Sequence, residues 1–162
     1  MAVLVIAACT QPSRNDKISA TSDTTFELWI AKRSKLFTPA DIKEINTARQ
    51  QIRYMVMQSR PGMMSDEFAV VLYAEINGKT IHELLLTSYA LQIQRIKTEL
   101  LNYQPQLERF QEHEQNKHLS EDQKKTVSDA LEKLHRLMRG HQEELARLNA
   151  RLAELERQAA VS

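Results

Sequence analysis

Residues Leu86 to Phe110 read LTSYALQIQRIKTELLNYQPQLERF. Within them Leu86, Tyr89, Ile93, Ile96, Leu100, Tyr103, Leu107 and Phe110 alternate steps of three and four without an error. Apolar residues at an average spacing of 3.5 form one stripe on a helix, the a/d seam of a coiled coil. The last part of the chain repeats the pattern in Val127, Leu131, Leu134, Met138, Leu145, Leu148, Leu152 and Leu155, with His141 taking one seam position. Between the seams lies the polar stretch EQNKHLSEDQ. So short a connection folds two helices back on each other, which predicts an antiparallel coiled-coil hairpin over residues 81–160 with its turn near 115–120.

A turn centred on Lys117 would set Leu107 against Val127, Leu100 against Leu134, Ile93 against His141 and Leu86 against Leu148. A slip of one heptad would set Phe110 against Leu131 and Leu100 against His141, at the cost of a lopsided turn, and the symmetric register is preferred. Pro105 falls inside the first seam. It removes one backbone hydrogen bond near Leu101, but the heptad phase continues across it, which predicts a kink and not a break.

Working towards the N-terminus, the helices announce themselves by their caps. TIHE at Thr80–Glu83 is a capping box that opens the long helix, and Ser120 with Gln123 repeats the device for the last one. FTPADIKEI predicts a helix capped by Thr38, with Pro39 first and Asp41 in its first turn, running to about Ser59 with Ile42, Ile45, Ile52 and Val56 on one face. RPG at Arg60–Gly62 ends it. A short helix capped by Ser65 then buries Phe68, Val71, Leu72 and Ile76 before the turn ING. Phe26–Phe37 fits a short helix or an extended segment. Met55, Met57, Met63 and Met64 read as gap-filling core, with an adaptable binding surface as the alternative. Together these predict an all-α protein: a small helical head over 26–80 and the hairpin.

Composition narrows the function. Lys and Arg number 22 against 21 Asp and Glu, and the signs are interleaved, so no unopposed basic face offers itself to a nucleic acid. The single cysteine, Cys9, allows neither an internal disulfide nor a Cys/His zinc set. His113 and His118 flank the hairpin tip but lack a carboxylate or thiol at ligand spacing, so no metal is expected, and no cofactor. INGKT lacks the spacing of a phosphate-binding loop. No nucleophile stands with a base, so no catalytic residue is assigned and no enzyme is expected. His141 on the seam is read as a tolerated weak point, with register-fixing or pH sensing as the sharper alternative.

The N-terminal stretch Val3–Ala8 is far shorter than the roughly 20 residues of a spanning helix. It runs into VIAAC, with Ile6, Ala7 and Ala8 before Cys9. This resembles the lipobox of bacterial lipoproteins, in which the signal peptide is removed and the cysteine becomes the acylated first residue. On that reading residues 1–8 are the remnant of a signal peptide whose basic start lies upstream, and the polar residues 9–25 are a tether. The resemblance implies lipidation at Cys9. Gln11, where an Asp after Thr10 would retain the protein at the inner membrane, implies an outer-membrane site facing the periplasm. A cytoplasmic location is the alternative if Cys9 is a buried thiol on an apolar strand.

The order of this cysteine, KISATSDTTFE, SKLFTPADIKEINTARQQI and INGKTIHELL resembles a family of small bacterial lipoproteins of unknown function, over about Cys9 to Leu86. The likeness implies an envelope location and supplies no catalytic residues. The expected role is binding or spacing through the coiled-coil arm, with a membrane reached through the lipid and a protein partner of unknown identity. Self-association stays open. A soluble cytoplasmic coiled-coil adaptor or chaperone is the alternative, and an enzyme with an unrecognised site is a remote one.

Overall fold

A computed structural model describes residues 15–115 and 118–161, and among these every regular element is helical. Helix α1 spans Asp23–Ala31, α2 Pro39–Ser59, α3 Ser65–Ile76, α4 Ile81–Glu114 and α5 Glu121–Val161, with a single 3-10 turn at Ser34–Leu36. The starts of α2, α4 and α5 have a local cause. Thr38 and Asp41 close a reciprocal box, Thr38 N–H to Asp41 Oδ2 at 2.8 Å and Asp41 N–H to Thr38 Oγ1 at 3.2 Å, with Pro39 where a missing donor costs nothing. Thr80 and Glu83 do the same for α4, and Ser120 and Gln123 for α5. Helix α3 departs from expectation. Its cap position is Met64, which makes no side-chain hydrogen bond, and Ser65 is already helical.

The chain divides into two compact units after Thr87, inside the first turns of α4 and not at its start. In the first unit Phe26, Trp29 and Ile30 of α1 are buried with Ile45, Ala48, Ile52 and Val56 of α2 and Leu72, Tyr73 and Ile76 of α3. Ile81, Leu84 and Leu85 of α4 are buried as well. The question over Phe26–Phe37 resolves as the end of α1, the 3-10 turn and a buried Phe37.

The tether is corrected over its described residues. Ile18 and Ala20 are 1% and 2% exposed, and Ile18 exchanges backbone hydrogen bonds with the α3–α4 turn. Its N–H donates to Lys79 O at 2.7 Å, and its carbonyl accepts from Gly78 N–H at 2.8 Å. Ala20 N–H donates to Asn77 Oδ1 at 3.1 Å. Gly78 reaches this position with φ 80, where a side chain would be strained. Burying one isoleucine is worth about 1.5–3 kcal/mol, enough with two backbone bonds to fix a segment that is otherwise polar. Ser22 and Thr25 then cap α1, with Thr25 N–H on Ser22 Oγ at 3.2 Å, so the head begins before Asp23.

The second unit holds α4 from Ser88 onward and α5, the two long helices of a hairpin. Helix α4 continues unbroken through Pro105. The register differs from the preferred one. His141 lies against Tyr103, ring centroids 5.6 Å apart, and its Nε2 is 3.6 Å from Glu99 Oε2. Glu99 and Tyr103 bracket Leu100, so His141 takes the place that the one-heptad slip assigns it; Ile93 lies roughly 15 Å from Tyr103 along the helix. A symmetric turn was too strict an assumption. A one-heptad step needs only about 10 Å of extra reach, well within a connection of this length. Residues 121–126, all exposed, form the overhanging start of α5.

Candidate functional site

Within the first unit, the second half of α2, the turn after it and α3 line an open cleft of about 430 Å³. Each wall follows from local sequence. Arg53, Met57 and Arg60 recur along α2 and past its end, at steps of three and four that keep them on one side. Arg60-Pro61-Gly62 stops the helix: Gly62, at φ 86, turns the chain back and delivers Met63 and Ser65 to the rim. Phe68, Ala69, Leu72 and Tyr73 of α3 make the opposite wall, and Asp23 at the start of α1 closes one end.

The polar groups at that end are already engaged with one another. Tyr73 Oη donates to Asp23 Oδ1 at 2.5 Å, and Arg49 Nη1 stands 3.2 Å from the same oxygen. Burial, reinforced by the hydrogen bond to Asp23, pushes the Tyr73 phenol up to about 12, so it holds its proton at neutral pH. Arg53 reaches Asp23 only at 4.0 Å, keeps 44% of its side chain exposed, and lies over the Phe68 ring at 5.4 Å. Arg60 has no carboxylate partner among the described residues. The result is a hollow of mixed lining, apolar along Met57, Met63, Phe68 and Leu72, with two cationic groups on its wall and one carboxylate already engaged. It can hold a ligand by shape and charge.

The methionines are corrected here. Met57 and Met64 are 55% and 74% exposed, and Met55 and Met63 are only half-buried. Met57 follows the buried Val56 on α2 and so is turned about 100° from the face of Ile52 and Val56, and Met64 lies beyond the turn at Gly62, at the cap of α3. The sequence carried a signal for this in their crowding around RPG. It carried none for the pairing of Tyr73 with Asp23.

The residues singled out from sequence are distributed as follows. Cys9, with VIAAC, lies outside the described residues. Of the seam positions, Ile93, Ile96, Leu131 and Leu134 are buried, and Leu86, Tyr89, Leu100, Tyr103, Leu107, Val127, Met138, His141, Leu145 and Leu148 are half-buried. At the start of α4 it is Leu84, Leu85 and Ser88 that are buried, beside and not on the predicted stripe. Ser88 is satisfied by Gln92, whose Nε2 donates to its Oγ at 3.2 Å. His141 Nε2 is 3.4 Å from Tyr103 Oη, while its buried Nδ1 has no partner. Among the described residues no three His, Cys, Asp or Glu side chains gather as metal ligands, and no helix is long and apolar enough to cross a membrane. No family model, curated protein or solved structure matches the chain.

Proposed function

We propose that this is a lipid-anchored protein of the bacterial cell envelope, held through Cys9, that works by binding or spacing and not by catalysis, with the helical hairpin meeting a protein partner. The observation that carries the reading is VIAAC itself: small residues directly before the cysteine and an aliphatic one at the third position before it. The likeness of the head segment to small bacterial lipoproteins supports it, as does Gln11 for an outer-membrane address. The hairpin suits such a role because its outward positions are charged and of mixed sign, as in the ion pair of Arg136 with Glu132. With Ile18 docked in the head, the chain between Cys9 and the fold is short, so the lipid would hold the head close to the bilayer surface.

The same docking favours a second reading. It removes most of the polar tether that made a lipoprotein start attractive, and leaves a soluble cytoplasmic coiled-coil adaptor as the alternative. One experiment separates them. Expressed in bacteria with a complete signal sequence ahead of Val3, the protein should take up labelled palmitate and sediment with membranes, and Cys9→Ser should abolish both. Unlabelled wild-type protein in the soluble fraction would sink the anchor and leave the adaptor.

A further inference from the structure

We infer that the cleft between α2 and α3 binds a single-chain amphiphile with an anionic head, its tail along Met57, Met63, Phe68 and Leu72 and its head on Arg53 and Arg60. At about 430 Å³ the hollow lies in the range of small-molecule sites, roughly 300–1,000 Å³. Met57, Met63, Phe68 and Leu72 give it an apolar part, and methionine, unbranched and polarizable, adapts to a chain without demanding one shape.

Charge selects the head group. Asp23 is the one acid on the lining, and it is occupied by Tyr73 and Arg49. Arg53 and Arg60 therefore outnumber it. Both lie at the cleft's wall with guanidinium donors to spare, and a carboxylate or sulfate accepts two such donors at once. Asp66 and Glu67, the acids of the first turn of α3, are exposed and are not part of the lining.

The lining also selects the tail. An extended peptide would carry its backbone amides and carbonyls into the hollow, where the Tyr73 hydroxyl is taken and the Ser65 hydroxyl is 3.3 Å from Asp66 Oδ1. Buried unpaired amides are costly, and an aliphatic tail has none. This binding does not depend on Cys9, and it holds in the envelope or in the cytoplasm.

The test uses the purified full-length chain, titrated below micellar concentration with decanoate, decyl sulfate, decyltrimethylammonium and decanol, and followed by calorimetry and by displacement of a dansylated fatty acid. The two anions should bind saturably, one per chain, with the cation and the alcohol about tenfold weaker or more, the worth of one charge-assisted hydrogen bond. Arg60→Gln, on an exposed turn, should weaken decanoate by about the same factor with an unchanged melting temperature. Met57→Glu, at an exposed position, should abolish binding while the helical circular dichroism stays intact. Equal uptake of all four compounds, no saturable uptake of the anions, or indifference to both substitutions overturns the assignment.

Discussion

Tyr73 and Asp23 stand 50 residues apart in the chain and share a side-chain hydrogen bond of 2.5 Å. The bond joins α3 to the first residue of α1, and Arg49 joins α2 to the same carboxylate, so three helices meet at one half-exposed acid. The phenol has its pKa raised, first by burial and then by Asp23. A raised value means that the protonated form is favoured by folding. Its contribution is complete below the unfolded value of about 10 and is lost as pH rises through the folded value of about 12. Tyr73→Phe should therefore be less stable than the wild type at neutral pH by about 1–2 kcal/mol. The gap should close as the solution is taken from about pH 10 to about pH 12. Urea unfolding followed by Trp29 fluorescence reads it, and a gap constant over that window would mean that the hydroxyl is not held as described. At the start of α4, Glu83 is held below the usual carboxylate range by the Thr80 backbone N–H, with the Thr80 hydroxyl second. Its stabilisation is present at neutral pH and disappears as acid takes the pH down through that lowered value.

Among the elements, what could be read from sequence was whatever a few neighbouring residues decide. The cap at Thr38 and the boxes at Thr80 and Ser120 are all present, and at Thr38 the structure adds the return bond from Asp41. Spacing picks out Ile45, Ile52 and Val56 of α2 and Ile93, Ile96, Leu131 and Leu134 of the long helices, whereas at the start of α4 the buried Leu84, Leu85 and Ser88 lie beside the stripe. What escaped was decided by residues far away. Ile18 looked like an isolated apolar residue in a polar run because its partners, Gly78 and Lys79, are supplied by another turn. The cleft escaped because its walls come from three helices, and Met57 and Met63 could not be told from core residues without knowing how α2 ends. The hairpin register failed for a third reason: heptads fix which face is buried but repeat every seven residues, so they cannot distinguish one register from the next. Only the turn could, and a polar connection permits more than one. The position of His141 gives the answer a direct check. With the native Cys9 replaced by serine, cysteines at Leu100 and His141 should bridge readily under mild oxidation, whereas cysteines at Leu100 and Leu134 should not. Bridging of the second pair alone would restore the symmetric turn.

At the scale of the whole molecule, the chain divides into two units after Thr87, and α4 runs across the division without a break. Ile52, Leu72 and Leu84 are buried in one; Ile93, Ile96, Leu131 and Leu134 are buried in the other. Helical continuity is a weak coupling, because the hydrogen bonds of a helix are local and fraying one end costs only its own turns. Damage to the hairpin should therefore stay in the hairpin. Leu134 is 5% exposed, and Leu134→Asp would set an unpaired carboxylate in an apolar seam, a change that costs several kcal/mol. Trp29 provides a reporter confined to the other unit: it is the chain's one tryptophan, 5% exposed, with the Arg33 guanidinium 4.1 Å from its ring centre. In the Leu134→Asp variant, helical ellipticity should fall and proteases should cut within α5. The Trp29 emission maximum and its urea midpoint should stay at their wild-type values. If the tryptophan transition moves together with the loss of helix, the two units fold as one, and the independence expected from the division after Thr87 is refuted.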